Sequence, residues 1–182
     1  MPAEKPLGQS ISLRVGYVIA FTSLIYLTIP FARDIEGVLR THKMLMVGVY
    51  LALLIFISAG TFFIIRYIGF RPFNIIVLTV FIAIYVMIIK QYSILAEKIH
   101  FIEYGFLAFL VYYSLKMAIR GAAVYPLSLL IVTAVGWGDE LIQYFLPNRV
   151  YDNRDVFLNA LSGTLVLMLL FIVDRIKGCS LR

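Results

Sequence analysis

Residues Met44–Ile65 run for 22 positions without an Asp, Glu, Lys, Arg or His. At about 1.5 Å per residue a helix of that length crosses a hydrocarbon core of about 30 Å, so the run reads as a transmembrane span. Further apolar runs occupy Val15–Ala32, Phe73–Ile89, roughly His100–Met117, Gly121 to about Phe145, and Val156–Val173. The expected fold class is therefore all-α, a polytopic transmembrane helix bundle of about six spans. The chain reads as a single integral membrane domain over residues 1–182. Only 14% of the residues are charged, against about 25% in a soluble domain, which excludes an ordinary soluble globule.

The net charge of +6 does not point to nucleic acid, because the basic residues stand singly at the ends of apolar runs, as membrane-flanking anchors do. No nucleic-acid partner is expected. The first apolar run is too long for a cleaved signal peptide, and insertion by an uncleaved first helix is expected. His42, in the charged connector before Met44, reads as a solvated loop residue. Residues 90–99 read as a short polar connector before the fourth span. Six spans put both termini on one side. With that side cytoplasmic, nine Lys and Arg lie inside against seven outside, a weak positive-inside bias. Parity also gives the segments before spans four and six a common side.

Every Asp, Glu, Lys and Arg between residues 121 and 173 falls in one window, from Asp139 to Asp155. Ionisable groups at membrane depth cost about 2.5–3.5 kcal/mol each on insertion scales and usually face a protein interior or a watery cavity. At about 100° per residue, Glu97, His100 and Tyr104 share one helix face. Asp139, Glu140 and Gln143 share another, and Asp152, Asp155, Asn159 and Gly163 a third. Three polar stripes near one membrane face can converge on one pocket. A histidine beside a carboxylate can serve as a general base. Paired carboxylates with amide oxygens can hold a divalent cation such as Ca²⁺ or Mg²⁺, and Arg149 and Arg154 can clamp a phosphate. This chemistry suits a phospholipid or lipid-linked phosphate head group.

A structural reading stands beside the functional one. Arg154 can pair with Asp152 or Asp155, and Lys98 with Glu97; Asn159 with Gly163 can be helix-packing polarity. Asp139, Glu140 and His100 together favour a site, because no single neighbouring cation neutralises all three. Tyr104 and Gln143 support them. The chain has no Gly-rich phosphate loop, no G-x-S-x-G elbow and no H-E-x-x-H helix, and one cysteine with two distant histidines does not make a zinc site.

The segments Glu97-Lys98-Ile99-His100-Phe101-Ile102-Glu103-Tyr104-Gly105, Gly138-Asp139-Glu140-Leu141-Ile142-Gln143, Pro147-Asn148-Arg149 and Arg154-Asp155-Val156 with Asn159 resemble, in order and spacing, the VanZ-like family of small membrane proteins. The resemblance covers roughly residues 70–170; residues 1–70 match no motif. Ser162-Gly163 stands where the family favours a glycine one turn after the asparagine motif begins, a departure that bears on packing. The resemblance implies a multi-pass protein of the bacterial plasma (inner) membrane. The family's named member is associated with teicoplanin resistance, and the family is similar to membrane enzymes that exchange lipid head groups, phosphatidylserine synthases among them. By that kinship His100 would be the general base, Asp139, Glu140 and Asp155 would bind a cation or orient the phosphate, and Arg149 would contact it. Glu97, Tyr104, Gln143, Arg154 and Asn159 complete the expected substrate contacts.

Three functions remain open from the sequence. One is an enzyme acting on a lipid head group or lipid-linked cell-envelope precursor. The second is a non-catalytic membrane subunit that holds lipid, antibiotic or a membrane-protein partner. The third is a small transporter, which the bare second and third spans disfavour.

Overall fold

A computed structural model describes residues 7–31, 37–38, 44–92, 95–147 and 151–180. Six helices of span length make up nearly all of it: α1 (Leu7–Thr28, extended by a 3-10 turn to Phe31), α2 (Met44–Ile68), α3 (Pro72–Gln91), α4 (Leu95–Leu115), α5 (Val124–Tyr144) and α6 (Asn153–Ser180). The described residues contain no strand. Stretches within α1, α2, α3 and α6 are each long and apolar enough to cross a membrane. The other two, α4 and α5, have span length, about 31 Å at 1.5 Å per residue, and carry Glu97, His100, Glu103, Asp139 and Glu140.

The helices start and stop where backbone chemistry directs. Pro72 opens α3 from an extended Arg71, since proline's missing N–H is one the first turn leaves unbonded anyway. Gly69 closes the preceding turn at φ +85°, a left-handed conformation that other residues adopt only with strain. The Asn74 side chain pins that turn by donating to the carbonyls of Ile68 and Gly69 at 3.1 and 3.0 Å. The expected ten-residue connector at 90–99 is shorter than the sequence reading. Lys90 belongs to the last turn of α3 and Glu97 to the first turn of α4. A cation at a helix C-terminus and an anion at an N-terminus both complement the helix dipole, so charge there marks helix ends rather than loop. Similarly, α6 extends past the expected Val156–Val173 at both ends.

The chain divides into two compact units, Met1–Arg33 with Glu103–Leu167, and Asp34–Ile102 with Met168–Arg182. In the first, α1 lies against α4: the Arg14 guanidinium stacks 3.6 Å from the Tyr113 ring centre and donates to the Tyr113 carbonyl at 3.0 Å, and Phe21 meets Phe106 edge-on at 5.0 Å. Tyr104, Leu107, Ala108, Val111 and Val132 are fully enclosed. Because lipid is as apolar as these side chains, close packing rather than water exclusion holds such helices together. Two glycines permit that closeness between α5 and α6. A Cβ on Gly136 would stand 3.1 Å from Asn159 Cβ, and one on Gly163 would stand 3.0 Å from Val132 Cγ1. Stepping back four residues on α5 matches stepping forward four on α6, the register of an antiparallel pair.

In the second unit, Tyr85 of α3 is buried and donates to the Phe101 carbonyl at 2.9 Å, with its ring 4.9 Å from that of Phe101. Leu78, Leu169 and Val173 form a small core, covered by Ile64, Ile65, Ile68 and Phe81.

Candidate functional site: a buried acid–amide cluster

One face of α5 turns progressively polar along its length. Its buried positions are Val124, Ser128, Val132, Gly136, Asp139 and Gln143, spaced three or four apart, with Glu140 beside Asp139. The two carboxylates are 0% and 1% exposed, and an ionised carboxylate survives at such depth only when its oxygens are bonded. Each oxygen accepts a hydrogen bond from the first unit. Tyr104 of α4 donates its hydroxyl to Asp139 Oδ2 at 2.9 Å. The Gln143 amide nitrogen bridges the pair, donating to Asp139 Oδ1 at 3.1 Å and to Glu140 Oε1 at 2.9 Å. The backbone N–H of Asp152 donates to Glu140 Oε2 at 3.1 Å. That last bond ties the entry to α6 to the end of α5.

Asn159, one face of α6 further on, is 1% exposed and lies against Gly136, 3.3 Å from where that residue's Cβ would be. The same Cβ position lies 3.3 Å from the Tyr104 ring. Neither Oδ1 nor Nδ2 of Asn159 has a hydrogen-bond partner among the described residues. A buried amide left this way costs about 1–3 kcal/mol, and such groups are rare in native proteins.

The structure thus brings Tyr104, Asp139, Glu140, Gln143 and Asn159 of the expected set into one neighbourhood. Asp152 Oδ1 accepts from the backbone N–H of Arg154 at 2.8 Å, the bond of a helix N-cap. Arg154 itself is exposed, and Asp155 is half-buried in the first turn of α6. Arg149 lies outside the described residues. Glu97 is buried and His100 half-buried; both belong to the second unit. Among the described residues no group of three or more His, Cys, Asp and Glu side chains is arranged to hold a metal ion.

One contributor is invisible to a motif reading. Tyr26 of α1 donates its hydroxyl to the Val135 carbonyl at 2.9 Å, and a Cβ on Gly138 would collide with that hydroxyl. A lone tyrosine in an apolar run gives no signal of this. Gly136 had a signal, since it stands one turn before Asp139, on the same face.

The fold and this cluster define a multi-span helical membrane protein with a buried acid–amide cluster. Residues 15–174 match the VanZ/LLP1 family model, and the chain belongs to that family. The match takes in α1 and α2, which carry none of the motifs read from the sequence. No curated protein and no solved structure matches.

Proposed function

We propose that the protein binds, and acts on, the polar head group of a membrane lipid or a lipid-linked cell-envelope precursor in the bacterial plasma membrane. The observation that carries this reading is Asn159. A buried primary amide with both its donor and its acceptor unused, one helix away from two carboxylates, is matched to a ligand that offers both a donor and an acceptor. Hydroxyl- and amine-bearing head groups do. Asp139 and Glu140 would accept from such groups with lone pairs beyond those their present bonds use. Arg149 and Arg154 are proposed to meet the phosphate, His100 to be the base, and Asp155 to orient the phosphate.

Reconstitution with defined phospholipids and a polyprenyl phosphate, followed by phosphorus NMR, tests the catalytic part. A new phosphorus species formed by the wild type, and by neither His100→Ala nor Asp139→Asn, supports it. The same product from all three proteins refutes those residues' roles.

One observation favours a second reading, a non-catalytic membrane subunit. All four carboxylate oxygens are already bonded by the chain itself, as a structural network would be. On that reading a tagged protein co-purifies with a defined membrane-protein partner, and its lipids do not change with Asn159→Ala.

A further inference from the structure

At one end of the second unit, the close of α2, the turn into α3 and the close of α6 gather cations with little to neutralise them. Residues 62–73 and 168–180 hold Arg66, Arg71, Arg175 and Lys177 against a single carboxylate, Asp174. Asp174 accepts the Tyr67 hydroxyl at 3.4 Å. None of the four cations is in an ion pair among the described residues. Arg66, Arg71 and Arg175 are exposed. Two are steered by aromatic rings instead: Lys177 Nζ stands 3.5 Å from the Tyr67 ring centre, and the Arg175 guanidinium 5.0 Å from that of Phe171. Helix chemistry accounts for Arg66 and Lys177, which lie in last turns, but not for Arg71. A cation at the N-terminal end of α3 opposes the helix dipole.

The turn between α2 and α3 adds a second feature. Gly69 bends it, the 1%-exposed Asn74 pins it, and Phe70 projects from it at 78% exposure, with Phe73 beside it at 64%. Aromatic rings at this level of a membrane protein sit among head groups and upper acyl chains. A rigid turn that presents an aromatic side chain next to a cation is suited to the boundary where phosphate and hydrocarbon meet.

We propose that Arg66, Arg71, Arg175 and Lys177, with Phe70 as an apolar wedge, form a docking surface for anionic phospholipids of one leaflet. Clustered Lys and Arg beside membrane spans attract the negatively charged cytoplasmic leaflet, the side that the weak positive-inside bias of the sequence favours for this end of the protein. The surface draws on none of the residues of the acid–amide cluster and does not depend on what that cluster binds.

The test is native mass spectrometry of the full chain in detergent, titrated with phosphatidylglycerol or, separately, phosphatidylcholine. The wild type is expected to retain phosphatidylglycerol about tenfold better than phosphatidylcholine. A variant with Arg66, Arg71, Arg175 and Lys177 all replaced by Gln should lose that preference, with an unchanged circular dichroism spectrum. Phe70→Ser should weaken retention of both lipids while keeping the preference. Equal retention of the two lipids by the wild type overturns the proposal. So does a preference that survives in the fourfold variant, or one that equimolar inorganic phosphate abolishes.

Discussion

The Tyr104 hydroxyl donates to Asp139 Oδ2 at 2.9 Å, joining α4 to α5 where both residues are fully buried. Hydrogen bonds to charged groups contribute about 1.5–3 kcal/mol each, and breaking one here leaves a carboxylate oxygen enclosed without that donor. Tyr104→Phe keeps the ring packing and removes only the donor. It is expected to lower stability by about 1.5–3 kcal/mol, read by chemical denaturation in detergent. A change below the error of that measurement would mean the bond contributes little.

Asn159 should behave in the opposite sense. Removing an unsatisfied polar group from a buried site is neutral or stabilising. Asn159→Ala is therefore expected to leave the melting temperature unchanged or raise it. An amide that held α5 and α6 together structurally would instead lower stability by about 1–3 kcal/mol when lost.

Gly138 and Tyr26 form a coupled pair, since a Cβ on one meets the hydroxyl of the other. Gly138→Ala is expected to cost about 1–3 kcal/mol by overpacking. In a Tyr26→Phe background the same substitution should cost less, because the obstructing oxygen is gone. Equal costs in the two backgrounds, measured as a thermal double-mutant cycle, would show that the contact is relieved elsewhere.

The cap at Asp152 separates backbone from side-chain roles. Asp152→Ala removes the acceptor for the Arg154 N–H and should cost about 1 kcal/mol. Arg154→Ala leaves that bond in place and should cost much less, as an exposed substitution does.

Orientation is testable with the single cysteine. We propose that both termini are cytoplasmic, so Cys179 should react with a membrane-impermeant maleimide in inverted vesicles and not in intact cells. Labelling of intact cells would reverse the assignment.

Much of this arrangement is legible in the sequence because lipid imposes strict rules. The uninterrupted runs at Met44–Ile65 and Phe73–Ile89 have one reading in a bilayer, and charged residues inside a span must share a face or be exposed to hydrocarbon. Hence the stripe of Asp139, Glu140 and Gln143 could be drawn from helical spacing alone. Helix ends were harder, because Lys90 and Glu97 look like loop residues until the dipole at each terminus is considered. The division into two units was not legible, since it runs through the middle of α4 and α6, where composition does not change. Nor was the part of Tyr26: the Val135 carbonyl it bonds belongs to every sequence equally, and only packing brings the two together. The Asp-Asn-Arg-Asp run before the last apolar stretch also carries an N-cap signal.

The central claim is that the cluster on α4, α5 and α6 holds a polar head group. Its most direct test is native mass spectrometry of gently purified protein with lipid analysis, comparing wild type, Asp139→Asn and Asn159→Ala. A defined phospholipid or polyprenyl-phosphate species retained by the wild type, and lost from both variants with their folding intact, is the predicted result. An identical lipid complement in all three proteins would contradict it.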